Sequence, residues 1–122
     1  MATILVTDDY NVTQRVMGHI LRRYGYDVLV AAHGLDALEC LEQHTIDLLL
    51  LDISMPEMDG LTLLKHLRAS PQYVNLPVVM LTASGQDTDR RNAEELGANG
   101  FLSKPIGSAE LLDMVRTVLG EQ

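Results

Sequence analysis

The chain has 122 residues, of which 47% are hydrophobic and 21% charged, and its formal net charge is −8. This length is typical of one domain and the hydrophobic share is enough for a full core, so we expect residues 1–122 to form a single domain. The acidic balance argues against direct binding of nucleic acid, which needs a basic face, and no apolar stretch approaches the roughly 20 residues of a membrane span.

Strand-like and helix-like segments alternate along the whole chain. Short apolar runs predict the strands, and helical periodicity with its start and stop residues predicts the helices. In chain order we predict strand 1 at residues 4–6, helix 1 at 11–24, strand 2 at 28–31, helix 2 at 34–43, strand 3 at 46–51, helix 3 at 59–69, strand 4 at 78–81, helix 4 at 85–96, strand 5 at 101–102 and helix 5 at 108–119.

The apolar residues of helices 1, 2 and 5 recur at the spacing of one helix face. We expect the following side chains to point inward: Val12, Val16, Met17, Ile20, Leu21, Tyr24, Leu35, Leu38, Leu41, Leu111, Leu112, Val115, Val118 and Leu119. Asn11 and Asp59 are residue types that cap helix N-termini, here those of helices 1 and 3. Helix 4 has only Ala93 and Leu96 as apolar residues, so we expect it to be weakly anchored and mobile.

Five strand–helix units with right-handed crossovers predict an α/β fold, a doubly wound parallel sheet with helices on both faces. We expect five strands in the order 2-1-3-4-5 and five helices, which is a flavodoxin-like arrangement. In that order the topological switch point lies between strands 1 and 3. Folds of this kind place their sites there, beyond the carboxyl ends of the strands.

Acidic residues follow the two strands at this switch point. Asp8 and Asp9 follow strand 1, and Asp52 follows strand 3. Because parallel strands end at the same edge of a sheet, we expect these carboxylates to lie close together. At about 5 Å and an effective dielectric constant near 20, each pair repels by roughly 3 kcal/mol. A hard divalent cation is the obvious way to offset that repulsion.

Four strand ends carry motifs which, taken together, resemble the receiver domain of two-component response regulators, in the single-domain form found in chemotaxis. The motifs are Asp8-Asp9, the run of residues 52–60, Thr82-Ala83 and Lys104-Pro105. Each motif alone is weak evidence, since an acidic pair after a strand is often a helix-capping turn and a lone lysine is usually a surface residue. Their order and spacing over essentially all 122 residues make the resemblance strong.

The resemblance implies a role for each motif. Asp52 would be the nucleophile that accepts a phosphoryl group from a phosphohistidine. Lys104 and Thr82 would be catalytic residues that contact two of the phosphoryl oxygens. Asp8 would act mainly through a metal-bound water. The ligands of Mg²⁺, or of Mn²⁺ in its place, would be Asp8, Asp9, Asp52 and the backbone carbonyl of Ser54.

The resemblance also implies a conformational switch and a backbone feature. Phe101 stands where the family has its switch aromatic, which rotates inward when Thr82 moves to the phosphoryl group. The surface of helix 4, strand 5 and helix 5 would report this change to a partner. The alternative is that Phe101 is an ordinary core residue of strand 5. The Lys104–Pro105 peptide bond would be cis, as it is in the family.

The partners implied are a sensor histidine kinase or a histidine phosphotransfer domain, and a downstream protein target that the sequence does not name. The chain ends just past helix 5, so we expect no DNA-binding or enzymatic output domain within it. It could act alone, relay phosphoryl groups, or be a receiver domain of a longer protein. Cys40 is the only cysteine and no signal segment follows Met1, which together favour a cytoplasmic location.

Two other functions fit the same sheet topology less well. A flavin-binding module needs a phosphate loop rich in Ser, Thr and Gly after strand 1, where this chain has Asp8-Asp9-Tyr10. A metal-dependent phosphohydrolase with an aspartyl nucleophile usually carries that nucleophile on strand 1 beneath a cap domain, and 122 residues leave no room for a cap.

Overall fold

A five-stranded parallel sheet with the strand order β2-β1-β3-β4-β5 forms the centre of the molecule. The computed structural model describes residues 2–55, 58–83 and 87–121. Its elements are β1 (Thr3–Thr7), α1 (Asn11–Arg23), β2 (Asp27–Ala31), α2 (Gly34–Gln43), β3 (Leu48–Asp52), α3 (Gly60–Arg68), β4 (Val78–Thr82), α4 (Asp87–Glu95), β5 (Gly100–Ser103) and α5 (Ser108–Leu119). This confirms the predicted doubly wound sheet with five helices.

Both faces of the sheet are covered, which explains why β3 and β4 are buried along their whole length. Alternate strand residues point to opposite faces. One face packs against α1 and α5 through Met17, Leu21, Leu111, Leu112 and Val115. The other face packs against α2, α3 and α4 through Ala37, Leu41, Leu63, Leu64, Leu67 and Ala93.

Strand register aligns the ends of the strands at one edge. Thr7 of β1 pairs with Leu51 of β3, and Asp52 at the end of β3 pairs with Leu81 of β4. Thr82, the last residue of β4, pairs with Ser103 of β5. The residues that follow β1 and β5, namely Asp8 and Lys104, therefore lie at the same edge as Asp52 and Thr82.

Several predicted details of the first two helices are wrong. Asn11 is not the N-cap of α1, because that position is taken by Tyr10, without a capping side-chain hydrogen bond. Val12, Val16 and Tyr24 are about half exposed, as is Leu35 of α2. The buried face of α1 is narrower than its apolar stripe, and its buried residues are Met17, Gly18 and Leu21.

Strand 3 begins at Leu48, two residues later than predicted. Ile46 instead packs against the core from the preceding loop. Helix α3 is capped as expected, with Asp59 Oδ1 accepting a hydrogen bond of 2.8 Å from the N–H of Thr62. The motif residues Pro56 and Glu57, and the predicted start of helix 4 at Gly85, lie outside the described residues.

Helix α4 is as thinly anchored as its sequence predicts. Among its described side chains, Ala93 is the one that is buried. The loop after the helix is held by Arg68 of α3, whose guanidinium donates to the carbonyl of Gly97 at 3.0 Å and to Asn99 Oδ1 at 3.0 Å. A third hydrogen bond of 3.1 Å joins Arg68 to the carbonyl of Tyr73. The junction between α4 and β5 is thus fixed from a neighbouring helix.

No helix in the described part of the chain is both long enough and apolar enough to cross a bilayer.

Candidate functional site

Three carboxylates meet at the carboxyl edge of the sheet. Each of Asp8, Asp9 and Asp52 contributes an oxygen atom that lies within 4.8 Å of the other two. Asp8 is fully buried and Asp52 is 4% exposed, whereas Asp9 is exposed to solvent. The expected convergence of the acidic residues that follow β1 with the one that ends β3 is therefore present in the structure.

Asp8 is held by contacts from four segments of the chain. Its N–H donates to the carbonyl of Ala31 at 3.1 Å, and its Oδ1 accepts from the N–H of Tyr10 at 2.9 Å. Its carbonyl oxygen accepts from the side-chain amide of Gln14 on α1. Its Oδ2 lies 2.7 Å from Nζ of Lys104. A carboxylate bound in this way has little freedom to reorient.

Asp52 is oriented by the loop that follows it. Its Oδ1 accepts a hydrogen bond of 3.2 Å from the N–H of Ser54, and its Oδ2 lies 3.4 Å from Lys104 Nζ. Gly60 at the start of α3 lies so close to Asp52 that a Cβ atom on Gly60 would be 2.2 Å from the Asp52 carbonyl oxygen. The N–H of Gly60 donates to the carbonyl of Ile53 at 2.8 Å. Only glycine fits at this position without movement of the backbone.

The charges of this site perturb one another. Burial raises the pKa of Asp52 to about 6, and the negative charge of Asp8 acts in the same direction, while Lys104 and the N–H of Ser54 oppose the rise. Burial alone would lower the pKa of Lys104, but its contacts with Asp8 and Asp52 raise it above the ordinary value. The lysine is therefore charged at neutral pH. This ammonium group offsets part of the repulsion expected among the carboxylates. From the sequence we had expected a divalent cation alone to offset that repulsion.

The remaining predicted site residues lie on the neighbouring strands. Thr82 is buried at the end of β4, and its carbonyl accepts a hydrogen bond of 2.7 Å from the N–H of Lys104. The Lys104–Pro105 peptide bond is cis. Phe101 of β5 is partly buried against the core, and the guanidinium carbon of Arg90 on α4 lies 5.8 Å from the centre of its ring.

A groove borders the site between α1 and the loop after β5. Its volume is about 550 Å³, and the residues that line it include Tyr10, Val12, Val16, Ala83, Lys104 and Ile106. We call it the α1 groove. Sequence reasoning missed it because Val12 and Val16 were assigned to the core, although an apolar stripe wider than one buried face was the available signal. A second cavity of similar volume lies at the opposite edge of the sheet and contains none of the predicted site residues.

The donor atoms of the acidic cluster suit a hard cation. Mg²⁺ and Mn²⁺ prefer oxygen ligands, and carboxylates are the usual ones in proteins. Three carboxylates that converge, two of them buried, fit that preference. Ser54 contacts the cluster through its N–H, and its carbonyl remains a predicted ligand. The acidic edge would repel a phosphate without a metal, so it gives no support to the flavin-binding alternative.

Comparison with known proteins gives a consistent result. Residues 4–116 match the family described as the response regulator receiver domain. The chain is 41% identical over 119 residues to the transcriptional regulatory protein CpxR of Escherichia coli strain K12. This match covers 98% of the chain and 50% of CpxR. The chain therefore spans about half the length of that relative.

Two further matches cover the other protein almost completely. The chain is 36% identical over 119 residues to the chemotaxis protein CheY1 of Helicobacter pylori strain J99, with 96% of each chain covered. The crystal structure of a putative response regulator from Chloroflexus aurantiacus J-10-fl matches with a TM-score of 0.94 and 36% identity, covering 98% of each chain. Fold and sequence thus agree over the whole sheet and its five helices.

Proposed function

The chain belongs to the response regulator receiver domain family, and from this membership we propose that it is a phosphorylatable switch of a two-component pathway. It accepts a phosphoryl group from a phosphohistidine onto Asp52. The observation that supports this most is the convergence of Asp8, Asp9 and Asp52 beside Lys104, whose ammonium group reaches both Asp8 and Asp52.

Asp52 acts as the nucleophile. A carboxylate oxygen forms a bond to phosphorus while the bond from phosphorus to the imidazole nitrogen breaks, and the electron pair of that bond leaves with the nitrogen. The hydrogen bond from Ser54 to Oδ1 leaves Oδ2 on the side of Lys104. With a pKa of about 6, Asp52 is ionised at neutral pH as this chemistry requires. Slow loss of the phosphoryl group to water returns the switch to its resting state.

Lys104 and Thr82 stabilise the transferred group. The ammonium group of Lys104 offers a fixed positive charge to one phosphoryl oxygen, and the hydroxyl of Thr82 offers a hydrogen bond to another. The cation ligands are Asp8, Asp9, Asp52 and the carbonyl of Ser54. Mg²⁺ or Mn²⁺, when bound there, supplies positive charge that screens the phosphoryl oxygens from the carboxylates.

The α1 groove is the proposed contact for the phosphoryl donor, a sensor histidine kinase or a histidine phosphotransfer domain. Its wall includes Lys104, which also contacts Asp52, so the groove lies beside the path by which a protein would bring a phosphohistidine to Asp52. Tyr10, Val12 and Val16 are 60%, 52% and 49% exposed there. A helix with an apolar face would bury these side chains in forming the complex.

The proposed output passes through Thr82 and Phe101. Movement of Thr82 toward the phosphoryl group opens space into which the ring of Phe101 rotates, away from Arg90. The thin anchoring of α4 by Ala93 supports a surface with two arrangements. The surface of α4, β5 and α5 then binds a downstream protein target.

We propose that residues 1–122 form one receiver domain and that it works in the cytoplasm. Its single cysteine, Cys40, is a free thiol, which suits a reducing compartment. Burial raises the pKa of this thiol, which lowers its share of reactive thiolate. The net charge of −8 favours protein partners over nucleic acid.

The experiment that tests this function is the intact mass of the protein after incubation with a phosphoryl donor and Mg²⁺. Acetyl phosphate and a phosphorylated histidine phosphotransfer protein are used in parallel. The wild type should gain one phosphoryl group, EDTA should prevent the gain, and Asp52→Ala should show none. Asp113→Asn, at an exposed position on α5, is the matched control and should be labelled like the wild type. No gain with either donor, or a gain in Asp52→Ala, would overturn the proposal.

A further inference from the structure

Strand β2 forms one end of the described sheet, where it pairs with β1 alone. The carbonyl of Ala31 accepts the N–H of Asp8 at 3.1 Å, so the main-chain groups of Ala31, and of every second residue before it, face β1. The main-chain groups of Val28 and Val30 therefore face away from the sheet. The outer edge of β2 presents hydrogen-bonding groups that an added strand could use.

Arg22 of α1 covers one of these outward groups. Its Nη2 atom donates a hydrogen bond of 3.2 Å to the carbonyl of Val28. The arginine side chain can lie across the helix because residue 18 is glycine, where an added Cβ atom would be 3.2 Å from Nη1 of Arg22. A charged side chain at the edge of a sheet is a common protection against unwanted strand pairing.

The edge is complementary to a second copy of itself. If two β2 strands met antiparallel about a two-fold axis at Leu29, Val28 of one copy would lie opposite Val30 of the other, and the two Leu29 residues would face each other. These pairs are apolar, and pairs of β-branched residues stabilise neighbouring strands. Val30 is 41% exposed and would be covered.

The hydrogen bonds of such a pairing include the group that Arg22 holds. Each Val28 would exchange two main-chain hydrogen bonds with Val30 of the other copy. One of the two needs the carbonyl of Val28 as its acceptor, and in this structure that carbonyl accepts from Arg22. Arg22 and a second copy therefore compete for the same oxygen atom.

We propose that the outer edge of β2 is a self-association surface for a second copy of this chain and that Arg22 keeps it closed. Release of Arg22 from Val28 lets two five-stranded sheets join into one of ten strands. The surface lies at the end of the sheet opposite to β5, so it is separate from the proposed output surface. It is also independent of phosphoryl transfer to Asp52.

The test is sedimentation equilibrium of the wild type and Arg22→Met over a range of about 10 µM to 1 mM. Methionine keeps a long side chain over Gly18 but donates no hydrogen bond. Because two carbonyl groups are freed in each dimer, Arg22→Met should dimerise about thirtyfold more tightly than the wild type. Arg23→Met, at the neighbouring exposed position, makes the same change of charge and should behave as the wild type. A monomeric Arg22→Met over this range, or equal association of all three proteins, would overturn the inference.

A second variant identifies the surface. Val30→Pro removes the outward N–H of Val30, and proline is tolerated in an edge strand. Added to Arg22→Met, it should return the protein to the wild-type association state, with circular dichroism confirming that the fold is kept. Hydrogen exchange at the Val30 amide of Arg22→Met should also slow as the protein concentration rises. Dimers that persist in the double variant, or exchange at Val30 that ignores concentration, would show that the contact lies elsewhere.

Discussion

A Cβ atom placed on Gly60 would lie 2.2 Å from the carbonyl oxygen of Asp52 and 3.0 Å from the Cα atom of Ile53. The start of α3 is thus pressed against the backbone of the proposed phosphoacceptor. Asp59 caps the helix directly before Gly60. The position of Asp52 and the position of α3 therefore depend on one residue without a side chain.

Gly60→Ala should destabilise the protein by about 3 kcal/mol, because the methyl group meets main-chain atoms that cannot rotate away. Chemical denaturation measures the loss. Gly107→Ala is the matched control, since the nearest atom to a Cβ there is Glu110 Oε1 at an ordinary 3.5 Å, and it should cost less than about 1 kcal/mol. Similar losses in the two variants would show that the close approach at Gly60 has no energetic consequence.

Asp52→Asn should stabilise the metal-free protein at neutral pH. The pKa of Asp52 is raised from 3.8 to about 6, chiefly by burial and then by Asp8, so the folded protein binds this proton more tightly than the unfolded chain does. Wild-type stability should therefore fall as the pH rises through about 4 to 6, by up to about 3 kcal/mol. The substitution removes this loss, and the two proteins should be equally stable near pH 4.

Urea denaturation in EDTA at a series of pH values measures this difference. The control Asp113→Asn removes an acidic residue at an exposed position on α5 and should give no comparable gain above about pH 6. If Asp52→Asn is less stable than the wild type at pH 8, the Lys104 contact outweighs burial and the account of the charges is wrong.

The α1 groove should matter for a protein donor and be irrelevant for a small one. Replacing both Val12 and Val16 by Ala removes apolar contact area while leaving the charge unchanged. Transfer from a phosphorylated histidine phosphotransfer protein should slow by about tenfold in kcat/KM. The rate with acetyl phosphate should not change. Val74→Ala, at a 44% exposed position in the loop before β4, should leave both rates unaltered, and an equal slowing with both donors would exclude a docking role.

Arg68→Lys should loosen the junction between α4 and β5. A lysine cannot reproduce the three hydrogen bonds that the guanidinium makes to Gly97, Asn99 and Tyr73, and we expect a loss of about 2 kcal/mol. Hydrogen exchange should speed up at the Val78 amide, which donates to Asn99 Oδ1 at 2.9 Å. Arg23→Lys, at an exposed position, is the control. Unchanged protection at Val78 would contradict this role.

The architecture and the acidic cluster were predictable because both depend on patterns local to each strand. A short apolar run such as residues 48–51 indicates a strand buried on both faces, and the carboxyl ends of parallel strands meet at one edge of the sheet. The order of the motifs then led to the prediction of Asp8, Asp52, Thr82 and Lys104 as site residues with no need for distances.

Features that depend on where neighbouring elements stop could not be predicted. Periodicity located the apolar stripe of α1, but whether Val12 and Val16 are covered depends on how far the loop after β5 extends. Lys104 Nζ lies 2.7 Å from Asp8 and 3.4 Å from Asp52. A difference of this size cannot be predicted from the spacing of these residues along the chain. Arg68 binds main-chain carbonyl groups. Every residue has such a group, so the sequence does not show which of them Arg68 contacts.

Mapping of the phosphorylated residue tests the central claim most directly. After incubation with Mg²⁺ and acetyl phosphate, borohydride reduces an aspartyl phosphate to the corresponding alcohol, which remains attached to the peptide and is located by mass spectrometry. The account expects reduction at Asp52 alone, and none in EDTA. Reduction at Asp8 or Asp9 with Asp52 intact would contradict it, because the nucleophile would then be a carboxylate to which the account assigns cation binding alone.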